Sequence, residues 1–218
     1  MVKPQSSALY RVGDAFFGRW PKVDEDIITH FPNSLMGSYF AHTEKSNRTF
    51  ETVGPFLQEQ CASNEEISKE FDCIVGLRTG DVLDPRSGKK WIQKTPPDPK
   101  AMAETLSEDQ CSNVLFVTGK HKSGETATQH YLRDLEQELT SKAIDYSIKQ
   151  TGNVTTEEID EDLCLLTNST GVFYQGQGGF HEFVAGVRSA QGKESKQDFV
   201  GKTNDPLHIL HGYRARPL

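Results

Sequence analysis

Residues 113–148, NVLFVTGKHKSGETATQHYLRDLEQELTSKAIDYSI, decide the reading of the fold. They open on Asn113-Val114-Leu115-Phe116-Val117, a short apolar run that stops at Thr118-Gly119 and reads as a strand. Residues 125–141 follow with Tyr131, Leu132, Leu135 and Leu139 at helical spacing, an amphipathic helix with one apolar face. Ala143 to Ile148 then alternates as a second strand. Strand, helix, strand with no hairpin between them is the pattern of a parallel crossover.

The same grammar extends in both directions. Upstream, Cys73-Ile74-Val75-Gly76-Leu77 is a strand ending in a Thr-Gly-Asp turn, residues 84–100 are a Pro-, Gly- and Lys-rich loop, and 100–107 are a short helix. Downstream, residues 157–168 read as a helix opened by Thr156 and acidic residues. Val172-Phe173-Tyr174 is a further strand, Gly176-Gln177-Gly178-Gly179 a glycine turn, and Phe180 to Arg188 a helix. Residues 1–40 are aromatic and irregular, and 49–69 carry a helical pattern broken near Ser63. The expected fold is α/β, a Rossmann-like parallel sheet with helices on both faces. Residues 1–69 would form a reduced N-terminal region and 70–218 the sheet region. Ligands of such sheets sit at the carboxyl ends of the strands, which singles out Arg78 to Asp81, Thr118 to Lys122 and Gly176 to His181.

Composition narrows the function classes. The chain has 218 residues, 35% hydrophobic and 25% charged, with a formal net charge of −7. That balance argues against a nucleic-acid partner, which needs clustered Lys and Arg. No apolar run is long enough for a membrane span, and the first residues lack the apolar core of a signal peptide. Cys61, Cys73, Cys111 and Cys164 are widely and irregularly spaced, with no zinc pattern, and read as buried free thiols of a reducing compartment. The expected location is the cytoplasm. Asn47, Asn153 and Asn168 head Asn-X-Ser/Thr triplets, which there are chance matches.

Chemistry concentrates after the strands. Arg78 follows a buried strand, can meet a phosphate bidentately and stays charged at any working pH. Gly80 allows the sharp turn, and Asp81 could orient Arg78 or bind an acceptor hydroxyl. Structurally, the same residues are an ion pair beside a turn. Glycines between a strand and a helix let backbone N–H groups approach phosphate, although the spacing at 176–179 is not the dinucleotide pattern. A plain tight turn reads the same way. Asp160 and Asp162 are placed to cap a helix or to recognise a ribose or base. His121 and His181 follow strand ends, and no His has metal-ligand spacing with a partner.

In this order the segments resemble the nucleotide-sugar-binding lobe of the fucosyltransferase-like GT-B glycosyltransferases, in their compact viral and algal form. The resemblance covers roughly residues 70–190. It rests on Gly76-Leu77-Arg78-Thr79-Gly80-Asp81 after the first strand and on Thr118-Gly119-Lys120-His121 after the second. Asp160-Glu161-Asp162 with Asn168-Ser169, and Gly178-Gly179-Phe180-His181 opening the last helix, complete it. Gly76 stands where the family has His, and His181 where it has Ser. The resemblance implies transfer of a sugar from a GDP- or UDP-linked donor to a glycan acceptor, without a metal and with no other cofactor. Arg78 would stabilise the departing pyrophosphate, with Asp81 beside it. Thr118, Gly119, His121, Asp160, Asp162 and Ser169 would line the nucleotide, and Gly178, Gly179, Phe180 and His181 the phosphates. A catalytically idle nucleotide- or glycan-binding module, or a sugar-nucleotide hydrolase, would carry the same pattern.

Overall fold

The first strand, β1 (Cys73–Leu77), is buried along its whole length, as a central strand of a parallel sheet must be. The computed structural model describes residues 6–20, 22–62, 71–83, 96–119, 125–151 and 155–197. Within them β1 is joined by β2 (Asn113–Gly119), β3 (Asp145–Thr151), β4 (Val172–Tyr174) and β5 (Ser195–Lys196) in the order β3-β2-β1-β4-β5. The pairings of β1 with β2, of β1 with β4 and of β2 with β3 are all parallel. The fold is α/β and Rossmann-like, a parallel sheet flanked by helices.

Helices follow from local chemistry. They are α1 (Val12–Phe16), α2 (Val23–His30), α3 (Leu35–His42), α4 (Phe50–Gln60), α5 (Pro99–Glu108), α6 (Glu125–Ser141), α7 (Thr156–Asn168) and α8 (Gly179–Ala190). Asp98 caps α5 by accepting from the Lys100 and Ala101 N–H groups, with Pro99 at the first helical position, where its missing N–H costs nothing. Thr155 and Glu158 close a reciprocal capping box on α7. No helix among the described residues is long and apolar enough to cross a membrane.

The chain folds into two compact units. One takes in the described residues of Phe71–Gly152 and Gly171–Gly178 and those from Lys196 onward. Its core lies on one side of the sheet, where Val75, Leu77, Val114 and Phe116 pack with Met102 and Leu106 of α5 and Tyr131, Leu135 and Leu139 of α6. The second unit is helical and takes in the described residues of Met1–Glu70, Asn153–Thr170 and Gly179–Ser195. In it α8 packs on α1, α4 and α7. Arg188 of α8, fully buried, donates from Nη1 to the carbonyls of Leu166 and Ser169 and to Ser169 Oγ. A cation is thereby set at the negative end of α7. Burial pushes its guanidinium down to about 10.

Two expectations are corrected. The four cysteines are not free thiols: Cys61 bonds Cys164 and Cys73 bonds Cys111. Spacing along the chain concealed this. The β1–β2 register sets Cys73 opposite Val114, which brings the Cα of Cys111 within 5.8 Å of that of Cys73. Nor are residues 1–40 irregular, since α1, α2 and α3 lie there. These helices are too short to display a period, and α3 is started by the Ser34 Oγ accepting from Gly37 N–H.

Candidate functional site at the carboxyl ends of β1 and β4

The strand order has a consequence for binding. From β1 the chain moves outward to β2 and β3, then returns to lay β4 on the other side of β1. The crevice at the carboxyl ends of β1 and β4 is the topological switch point, where open parallel sheets hold ligands. Arg78 leaves β1 there and Gln175 to Gly178 leave β4 there.

These two segments touch. A Cβ on Gly178 would stand 3.0 Å from Arg78 Nη1, so the half-buried guanidinium lies against the Gly178 backbone. Gly178 has φ +123°, a conformation that side chains rarely adopt. The floor beside Arg78 is fixed by hydroxyls. Thr79 and Thr118, both buried, share a hydrogen bond of 2.9 Å that ties the end of β1 to that of β2. Gly80, at φ +64°, donates its N–H to Thr128 Oγ1 of α6 at 2.9 Å. On the far side, Gln175 donates its N–H to the Lys196 carbonyl and accepts from Gln197 Nε2. The product is a guanidinium beside a half-buried glycine backbone, with hydrogen-bonded hydroxyls beneath it, an arrangement able to hold a diphosphate oxygen pair.

The other sequence-predicted residues are distributed differently. Thr118 and Gly119 end β2 in the same unit as Arg78, with the Thr118 hydroxyl engaged by Thr79. Asp81 lies in the short 3-10 turn Gly80–Val82; its side chain, and His121 altogether, lie outside the described residues. Gly179, Phe180 and His181 belong to the helical unit. There a Cβ on Gly179 would stand 3.3 Å from Asp14 Oδ1, so a carboxylate of the protein itself attends the start of α8. Phe180 packs edge-on to Tyr10 at 5.0 Å, and His181 is buried beside it. Asp160 Oδ2 accepts from the Leu35 N–H at the start of α3 at 3.0 Å, and Asp162 Oδ2 from the Tyr10 hydroxyl at 2.9 Å. Both lie beyond the first turn of α7, where Glu157 and Glu158 are the acidic residues. Ser169 is fully buried and held by Arg188.

Thr128 was not singled out by the sequence, and Thr79 only as part of the turn after β1, because only the fold shows which group each hydroxyl meets. Among the described residues no three His, Cys, Asp or Glu side chains gather as a metal site would require. The chain matches no protein-family model, and comparison with curated proteins and with solved structures finds no match either.

Proposed function

We propose that this chain transfers a sugar from a GDP- or UDP-linked donor to a glycan hydroxyl, without a divalent metal. The observation that carries the reading is the Arg78 guanidinium lying against Gly178 at the switch point of a Rossmann-like sheet. In such a reaction the bond from the anomeric carbon to the diphosphate oxygen breaks, and negative charge grows on the leaving diphosphate. A fixed guanidinium stabilises that charge more than it stabilises the bound donor, which is what lowers the barrier. Backbone N–H groups of the Gly176–Gly178 turn would share the diphosphate oxygens. By its position in the sequence, Asp81 is the candidate to orient Arg78 or to take the acceptor's proton.

The test is Arg78→Ala, assayed for transfer and for thermal unfolding together. The expected result is a loss of at least about a hundredfold in kcat/KM, about 2.7 kcal/mol of transition-state stabilisation, with the melting temperature kept. Wild-type transfer by a folded Arg78→Ala protein removes Arg78 from the mechanism. Because Arg78 would do the charge work, activity should be undiminished in EDTA, and a strict need for Mg²⁺ or Mn²⁺ would sink the metal-free reading.

One observation favours a second reading. Gly76, buried in β1, offers no side chain where the family that the sequence resembles has His. A module that binds nucleotide or glycan without turnover is consistent with that gap. Calorimetry with GDP and UDP beside a transfer assay separates the two: binding with transfer supports the enzyme, and binding without transfer to any acceptor supports the module.

A further inference from the structure

The two disulfides and one of the three Asn-X-Ser/Thr triplets belong together. Disulfides form and persist in oxidising compartments and are rare where thiols are kept reduced. All four cysteines of the chain are paired, and all are buried. In the compartment that this implies, an Asn-X-Ser/Thr triplet is an acceptor wherever its Asn and its hydroxyl can be reached.

The three triplets differ in this. Asn168 is 9% exposed at the end of α7, so its amide is out of reach even though Thr170, the hydroxyl residue of its triplet, is exposed. Asn153 lies outside the described residues. Asn47 is exposed, at the end of the 3-10 turn Lys45–Asn47 that links α3 to α4, and Thr49 is exposed two residues on. Between them Arg48 turns inward. Its guanidinium donates to Asp24 Oδ2 and to the carbonyls of Thr43 and Phe40, and it stacks over the Phe40 ring. The Thr49 N–H donates back to the Asn47 carbonyl at 3.1 Å across Arg48, which has φ −82° and ψ 88°, an inverse γ-turn. The middle residue is thus anchored, while the two that an oligosaccharide transferase reads remain at the surface.

We propose that Asn47 carries an N-linked glycan, added as the protein enters an oxidising, secretory-type lumen. The amide Nδ2 of Asn47 forms a bond to the anomeric carbon of a lipid-diphosphate oligosaccharide. The bond from that carbon to the diphosphate oxygen breaks, the lipid diphosphate leaves with the electron pair, and the amide loses one proton to a base of the transferase. No oxidation state changes. The inference is independent of what the chain itself catalyses.

The protein isolated from its own cells is unfolded in denaturant and alkylated without reduction, then treated with a peptide-N-glycosidase in ¹⁸O water and mapped by mass spectrometry. The expected result is no alkylated cysteine, ¹⁸O-labelled Asp at position 47 and unlabelled Asn at 168. In a eukaryotic secretory host, Asn47→Gln should lower the intact mass by one glycan with both disulfides retained. Thr49→Ser should keep that glycan, because it preserves the hydroxyl. An unmodified Asn47 in the native protein, or four alkylated thiols, overturns the proposal.

Discussion

Asp160 shows a single side chain working against its own charge. Burial raises its carboxyl to about 6, the hydrogen bond from Leu35 N–H opposes the rise, and the neighbouring charge of Glu157 adds to it. The folded state therefore holds a proton between about pH 4 and pH 6 that the unfolded state has released. By linkage, stability contributed by this group is present below its unfolded value and is lost as pH rises through about 6. Asp72 has the opposite sign. Its carboxylate is held low, first by Ser112 Oγ and also by the N–H groups of Ser112 and Asn113, so its contribution is lost as pH falls. Asp160→Asn keeps an oxygen for Leu35 N–H and removes the charge. Urea midpoints for this variant should fall less between pH 4.5 and pH 7 than those of the wild type, and should exceed them at pH 7. An unchanged pH slope would mean that Asp160 is hydrated and titrates normally.

Between elements, the contact of α1 with α8 depends on the absence of a side chain. A Cβ on Gly13 would collide with the Gly179 carbonyl, so the two helices meet backbone to backbone. Gly13→Ala must push them apart and should cost about 1–3 kcal/mol, the usual range for overpacking. Gly54→Ala in α4 is the control, because its Cβ would meet nothing closer than Gln191 Cγ at 3.6 Å. It should be neutral or slightly stabilising through helix propensity. Chemical denaturation reads both, and a Gly13→Ala protein as stable as the wild type would refute the close approach. The same geometry explains what the sequence did and did not reveal. Long periodic elements such as α6, and apolar runs such as β1 and β2, were legible because burial imposes their pattern. α1, α2 and α3 are shorter than the window that a period needs, and β5 has only two residues, Ser195 and Lys196. Arg78 and Gly178 were each legible as punctuation after a strand, but their meeting depends on β4 lying beside β1, which no local pattern encodes. Gly178 and Gly179 looked like one feature and are two: Gly178 backs Arg78, whereas Gly179 accommodates α1.

At the scale of the whole chain, each compact unit holds one covalent staple. Cys61–Cys164 closes a separation of 103 residues within the helical unit, and Cys73–Cys111 one of 38 within the sheet unit. Neither bond links the two units, so each limits the unfolded freedom of its own unit. In the chain-entropy account, the cost of opening a loop grows with the logarithm of its length. Cys73–Cys111 is nested inside the longer loop and shortens it to about 65 residues while intact, which gives about 4.3 kcal/mol for the outer bond and about 3.9 kcal/mol for the inner. Where loop entropy dominates, the order of the two follows from loop length. Replacing Cys61 and Cys164 together by Ala should therefore lower the free energy of unfolding more than replacing Cys73 and Cys111. Guanidinium unfolding of the two double variants against the oxidised wild type measures the difference. Equal or reversed losses would mean that local packing around the sulfurs, rather than loop closure, sets what each bond contributes. Cys73 is the more exposed to that alternative, because it sits in β1 against Val114 and Val172, and a change there is felt by the central strand of the sheet.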